Sequence, residues 1–310
     1  LIFALIGLIC ASGRPVASPT FAKEKSSAME KKVWFVTGAS KGLGLPLVKK
    51  LIDEGYSVAA TSRTLETLEA AMEGAPADQF LPLEVDLSDE ASIEGALLTT
   101  WEVFGRIDVV VNNAGYGIGG ALEELGLDDI RDNFEVNLFA PITVIKKVMP
   151  YLRTQRSGHI INISSIAGFA GVLGWSVYAA SKHALIGLSD VLAQDLRPLG
   201  IHVTAVAPGA FRTQFLTQES LVLGDKQIAD YSDIRASHAR YLSIDGKQPG
   251  DPVKAAEALI EIVESPEPPT LLFLGSDAYK RATAKMRHLE DLIEKWKDLT
   301  LSTQFETEKA

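Results

Sequence analysis

The sequence is poor in cysteine, with Cys10 alone among 310 residues. One thiol excludes an intrachain disulfide. The histidines, His159, His183, His202, His238 and His288, form no ligand-spaced pair, so no metal cluster is expected. Basic charge is also in deficit. Thirty Lys and Arg stand against 40 Asp and Glu, a formal charge of −10. Such a chain repels phosphate backbones and anionic membranes, so neither nucleic acid nor a stable membrane partner is expected. There is no internal repeat and no inter-domain linker. The composition, 46% hydrophobic and 23% charged, is that of a globular chain long enough for one large α/β core.

Residues 1–28 are set apart from the fold. Leu1 to Cys10 is an apolar run, and Thr20-Phe21-Ala22 offers a cleavage-site pattern. No basic residue precedes the run, however, and Ile9 stands where a lipoprotein signal wants a small residue. Met29 begins Met29-Glu30-Lys31-Lys32 directly before the first strand. The segment therefore reads as a signal-like or dispensable extension, with the catalytic domain at 29–310. A cytoplasmic location is expected, with export as the alternative if residues 1–22 act as a signal.

Apolar runs at residues 33–37, 57–61, 80–85, 109–112, 160–164, 202–207 and 270–274 read as strands. Most lack in/out alternation, as strands buried on both faces do. Helical patterns fall between them at 43–54, 65–73, 90–104, 130–153, 176–197 and 252–263. Alternating strands and helices predict a single-domain, doubly wound parallel sheet of the Rossmann type. Between 211 and 251 the periodicity fails, which marks a long functional loop over the substrate. A last helix at 277–299 carries Met286, Leu289, Ile293, Trp296 and Leu299 at helical spacing. Its apolar stripe is expected to pack on the domain or on a partner subunit.

The first strand runs into Thr37-Gly38-Ala39-Ser40-Lys41-Gly42-Leu43-Gly44, and a helix follows. Glycines there let the backbone approach a pyrophosphate, while the helix start supplies N–H groups and a positive dipole end. The second strand ends in Thr61-Ser62-Arg63. An NAD site normally places a carboxylate here for the ribose 2′-hydroxyl. Its absence, with Arg63 and Lys41 available for a 2′-phosphate, predicts NADP(H).

Tyr178 and Lys182 lie four residues apart and share a helix face. A phenol titrates near pH 10, too high for a base at neutrality, and a neighbouring ammonium would lower that value. The lysine can also hold a ribose hydroxyl. Thirteen residues before Tyr178, a serine ends a strand at the edge where ligands of such sheets bind.

With the glycine motif, Asn112-Asn113-Ala114-Gly115, the serine, Tyr178-x-x-x-Lys182 and Pro208-Gly209 in order, the chain resembles the classical short-chain dehydrogenase/reductase family over about residues 32–274. The resemblance makes Tyr178 the catalytic acid/base, Lys182 its partner on the nicotinamide ribose, and Ser165 the group that orients the carbonyl. It makes Asn137 the support of a proton-relay water. It assigns Asp86 and Leu87 to the adenine, Asn113, Ala114 and Gly115 to the cofactor side, and the segment Pro208-Gly209-Ala210-Phe211-Arg212-Thr213 to the nicotinamide carboxamide. The sequence from Phe273 to Ala278, with the helix after it, resembles a 17β-hydroxysteroid-dehydrogenase-like subgroup. An apolar pocket is expected from residues 166–171, Leu173, Trp175, Phe211 and Phe215. The activity implied is hydride transfer between NADP(H) and a carbonyl or secondary alcohol of a small, apolar substrate. A non-catalytic NADP-binding regulator or scaffold is the alternative, and the full Asn137, Ser165, Tyr178 and Lys182 set argues against it. A homodimer or homotetramer is implied through helices 130–153 and 176–197, where Leu185, Leu188, Leu192 and Leu196 recur at helical spacing.

Overall fold

A computed structural model of the chain describes residues 31–217, 220–224 and 226–305. The segment read as an N-terminal extension, 1–28, lies outside the described residues.

Seven strands pair in parallel in the order β3-β2-β1-β4-β6-β7-β9. They are β1 (Val33–Val36), β2 (Ser57–Ser62), β3 (Phe80–Glu84), β4 (Val109–Asn112), β6 (Gly158–Ile163), β7 (Ile201–Pro208) and β9 (Leu271–Leu274). Two shorter strands, β5 (Gly117–Gly119) and β8 (Leu221–Leu223), pair apart from the main sheet. Alternate residues of one strand feed different cores. Trp34, Val36, Val109 and Val111 pack on α1 (Gly44–Asp53), α2 (Leu65–Ala71) and α9 (Pro252–Glu264). Phe35, Val110, Ile160 and Val203 pack on α3 (Glu90–Phe104), α5 (Ala140–Gln155) and α7 (Ser176–Leu196). Both faces need apolar side chains, which is why the strands do not alternate. The chain winds outward from β1 through β2 to β3, then returns to β4 and winds the other way. The crevice opens at that reversal, above the carboxyl ends of β1 and β4.

The helix expected at 130–153 is interrupted. It comprises α4 (Leu127–Phe134), a π-helical turn over Glu135–Phe139, and α5. Pro141 lacks the N–H that would bond to the carbonyl of residue 137, so an α-helical register is not available there. The π turn carries Asn137 into the interior, and such turns recur at functional sites. The 211–251 segment holds more order than its sequence pattern indicates. It contains β8 and α8 (Ser232–Ser243), whose buried residues are Ser237 and His238. With polar residues on its inner face, α8 shows no apolar period. A short helix, α6 (Ile166–Phe169), follows β6. The last helix is divided at Trp296 into α10 (Ser276–Lys295) and α11 (Lys297–Leu301). Its apolar stripe does not pack on the domain: Ala278 and Ala282 are buried, while Ile293 is 71% exposed.

His159 is buried in β6, with Nε2 2.9 Å from Thr204 Oγ1. The Thr204 hydroxyl donates to the Pro269 carbonyl, so it accepts from the imidazole N–H. Burial, with the positive charges of His202 and Lys32 nearby, pushes His159 from 6.5 down to about 3. The native state therefore binds fewer protons than the unfolded state between those values. Stability is expected to fall as pH drops through that window, by up to about 1.4 kcal/mol per pH unit from this group. Urea unfolding of wild type and His159→Gln across the window checks this. The variant should lose less stability than wild type, and identical pH profiles would contradict the assignment.

Candidate active site

The glycine loop is locked to the end of β4. Thr37 Oγ1 accepts the N–H groups of Asn113 and Ala114 at 3.0 and 3.1 Å. The Asn113 amide donates to the carbonyls of Thr37 and Gly38 at 3.0 and 2.9 Å. Asn113 thus lines the cleft while its amide hydrogens tie the loop down. Gly38 adopts φ +64°, and a Cβ there would lie 2.8 Å from Ala114 Cα. Gly44 stands behind the loop rather than on the cleft wall. A Cβ on it would come within 2.5 Å of the Gly38 carbonyl oxygen and 2.7 Å of the Asn113 amide nitrogen. Helix α1 begins with no side-chain cap; the Leu45 N–H donates to the Lys41 carbonyl at 3.3 Å and Pro46 has none, so it is the loop from Ser40 to Leu43 that faces the cleft.

At the end of β2, Ser62 is buried and donates to Ser40 at 3.1 Å. Ser40, Lys41, Gly42, Leu43, Arg63, Thr64 and Thr67 line this end of the cleft. Arg63 is exposed, and β2 brings no carboxylate here. Asp86 and Leu87 line the wall after β3. Asp86 Oδ1 accepts from the Ser88 N–H and hydroxyl, which holds its carboxyl below the usual range.

At the other end, Ser165 caps α6 by accepting from the Ala167 N–H at 3.1 Å. Ser164 instead donates to the Lys182 carbonyl at 2.7 Å, so it braces α7. Tyr178 is buried between Trp175 and Phe215, with ring centroids 6.0 and 5.6 Å away. Lys182 Nζ donates to the Ile163 carbonyl at 2.9 Å. Asn137 is fully buried; its side chain both accepts from and donates to the Tyr116 backbone, at 3.0 and 2.9 Å. Asn137 and Lys182 converge on Gly115. A Cβ there would lie 2.8 Å from Asn137 Oδ1 and 3.0 Å from Lys182 Nζ. Ser165, Tyr178 and Lys182 line the cleft, and Asn137 stands one layer behind them.

The electrostatics depart from the expected lowering of the phenol. Burial pushes Tyr178 up to about 12, with the Ser165 hydroxyl working against it. Burial pushes Lys182 down to about 8. Both groups have left water, and desolvation sets the direction of both shifts.

Pro208, Gly209, Phe211 and Thr213 close the cleft at the end of β7. Behind them stands Asp277, which sequence reasoning left within a helix pattern. Asp277 Oδ2 accepts from the Ala210 N–H at 2.9 Å, and a Cβ on Gly209 would collide with Oδ1. Oδ1 is buried and takes no hydrogen bond from the described residues. An acid just after Gly275-Ser276, at a helix start, was the available signal. The cleft has a volume of about 1040 Å³, and its outer arm is lined by Val172, Trp175, Phe215, Leu216, Val222, Tyr241 and Ile244. Trp175, Phe211 and Phe215 are where the sequence suggested. Leu173 is exposed and lies off the cleft, and Phe169 packs edge-to-face on Phe273 with ring centroids 5.0 Å apart.

These residues fit a dinucleotide. The loop N–H groups suit a pyrophosphate, the basic edge suits a further anion, and the spare Asp277 oxygen suits an amide donor. A Rossmann-type sheet with its cleft at the strand reversal is an arrangement suited to binding a nucleotide. The chain belongs to the short chain dehydrogenase family, whose family model matches residues 32–221. It is 35% identical over 272 residues to Oxidoreductase BOA17 of Botryotinia fuckeliana, covering 88% of this chain and 99% of that protein. It is 34% identical over 253 residues to retinol dehydrogenase 8 of Homo sapiens, covering 76% and 78%. The crystal structure of a short-chain dehydrogenase from Streptomyces avermitilis superposes with a TM-score of 0.81 at 33% identity, covering 88% of this chain and 100% of that one. ElxO with NADP bound gives 0.68 at 25%, covering 81% and 99%. The family is one of oxidoreductases that use nicotinamide cofactors on small molecules. Among the described residues, no helix is long and apolar enough to cross a membrane.

Proposed function

We propose that the protein is an NADP(H)-dependent oxidoreductase acting on a ketone, aldehyde or secondary alcohol of an apolar small molecule. The observation that carries this is one cleft with Ser165, Tyr178 and Lys182 at one end and Lys41 and Arg63 at the other. NADP(H), when bound, supplies or accepts the hydride. The missing carboxylate after β2, with Arg63 and Lys41 at that rim, favours NADP(H) over NAD(H).

In reduction, the Ser165 hydroxyl donates to the substrate carbonyl and Tyr178 gives the oxygen its proton. A phenol pushed up to about 12 keeps that proton at neutral pH, which suits the reductive direction. Lys182 holds the ribose and keeps a positive charge below about pH 8. Asn137 anchors the turn after β4 through Tyr116 and so fixes Gly115 beside Lys182. Gly38, Gly42 and Leu43 receive the pyrophosphate, Asp86 and Leu87 the adenine, and Pro208–Thr213 the carboxamide, with Asp277 Oδ1 as an acceptor for its N–H. The aromatic and aliphatic arm excludes water and takes the substrate's apolar body. Retinol dehydrogenase 8, among the relatives, is named for an apolar alcohol. The 17β-hydroxysteroid-dehydrogenase-like reading of the C-terminal sequence points the same way. Helices α5 and α7 supply a self-association surface, on which Val191 of α7 is 55% exposed.

Fluorescence titration with NADPH and NADH, followed by turnover on a panel of apolar ketones, tests the reading. NADPH should bind more tightly and be consumed with at least one ketone. Equal binding of the two cofactors, or no turnover across the panel and its alcohols, would contradict it.

A further inference from the structure

Helix α8 supplies one wall of the apolar arm. Tyr241 near its end and Ile244 just after it line the cleft. Little apolar burial holds it there. Its buried residues are Ser237 and His238, and each is tied by a hydrogen bond. Ser237 donates to the Leu173 carbonyl at 3.1 Å, and His238 Nε2 donates to the Gly174 carbonyl at 3.0 Å. The helix comes so close at Gly174 that a Cβ there would lie 2.6 Å from His238 Nε2. A surface helix is normally fixed by an apolar face, so this one depends on polar anchors.

The charged anchor is Glu124, in the 3-10 turn Leu122–Glu124 that follows β5. The side chain is buried. Its Oε1 accepts from the Ile228 N–H at 2.8 Å and from Arg235 Nη1 at 3.2 Å, and its Oε2 accepts from the Ala121 N–H at 3.1 Å. The Ile228 N–H above all holds this carboxyl below the usual carboxylate range, against the pull of burial. Arg235 Nη2 donates in turn to the carbonyls of Ile228 and Ala229, at 2.7 and 3.3 Å. Glu124–Arg235 is the one salt bridge of α8 among the described residues. Neither residue lines the cleft. What they hold in place reaches the site: the rings of His238 and Tyr241 pack on Trp175 at 5.4 and 5.6 Å, and Trp175 packs on Tyr178 at 6.0 Å.

We propose that Glu124 is a positioning residue for the substrate: by seating α8 it sets the width of the apolar arm, and so decides which ketones and alcohols are held at Tyr178. The inference rests on the reaction proposed above. Removing the carboxylate leaves the Ile228 N–H and the Arg235 guanidinium without their shared acceptor, a larger loss than that of one neutral hydrogen bond. A substrate long enough to fill the arm then loses its contacts with Tyr241 and Ile244. A substrate too short to reach α8 does not sense the change, and neither does NADPH, which lies along the other end of the cleft.

The test compares wild type, Glu124→Gln and Glu124→Leu on methyl nonyl ketone and on acetone. In Glu124→Leu the KM for methyl nonyl ketone should rise about tenfold or more, the loss expected for a charge-assisted contact, with kcat changed by less than about twofold. For acetone kcat/KM should stay within about twofold of wild type, and so should NADPH affinity. Glu124→Gln keeps an acceptor for the Ile228 N–H but not the charge, and its KM should fall between the other two. An unchanged KM for methyl nonyl ketone in Glu124→Leu, or equal losses on both ketones, overturns the proposal. Hydrogen exchange reads the seat without turnover. Amides at 228–244 should exchange about tenfold faster in Glu124→Leu while those of α1 and α7 hold. Unchanged exchange at 228–244 overturns the seating. Wild type that turns over neither ketone counts against the chemistry above, and the exchange measurement still decides the role of Glu124 at α8.

Discussion

Replacing Tyr178 by Phe is expected to lower kcat for carbonyl reduction by about 10³-fold, within the range for loss of a general acid. NADPH affinity should change by less than about threefold, because the lost hydroxyl supplies the proton and the retained ring keeps its packing. That ring is held between Trp175 and Phe215, so the variant should fold as wild type does. The burial that pushes the phenol up to about 12 also keeps its place dry once the hydroxyl is gone. A hydrocarbon ring beside Ser165 has no proton to give. Steady-state rates and an NADPH titration on the same preparation check both halves. A variant with wild-type turnover would remove Tyr178 from the mechanism.

Arg63→Asp should move the ratio of kcat/KM for NADPH over NADH by about 100-fold or more toward NADH. A charge-assisted contact is worth roughly 1.5–3 kcal/mol, and a carboxylate adds repulsion of the 2′-phosphate. Arg63 is exposed at the cleft rim, so its replacement leaves the core intact. An unchanged ratio would pass the phosphate to Lys41, which lines the same rim.

The main strands were legible because most are apolar on both faces, and that demand comes from two separate cores. The cleft was legible because the glycine loop, Ser165 and the Tyr178–Lys182 turn follow strand ends in order. What escaped depends on tertiary contacts. Gly115 reads as one glycine in a turn until Asn137 and Lys182 are brought against it from two different helices. Asp277 acts on Ala210, 67 residues earlier in the chain. The π turn at Asn137 keeps the composition of a helix, and α8 buries Ser237 and His238 where a periodic reading looks for apolar residues. The shift of Tyr178 ran against expectation because spacing along a helix reveals neighbours and leaves burial unseen.

Hydride transfer itself is tested most directly by following the label. NADPH deuterated at the nicotinamide C4 is incubated with the protein and the panel of apolar ketones, and the alcohols are examined by mass spectrometry. The account predicts deuterium on the carbinol carbon of at least one product with wild type, and its near absence with Tyr178→Phe. Tight NADPH binding with no labelled alcohol from any ketone, and no oxidation of the corresponding alcohols with NADP⁺, would contradict it.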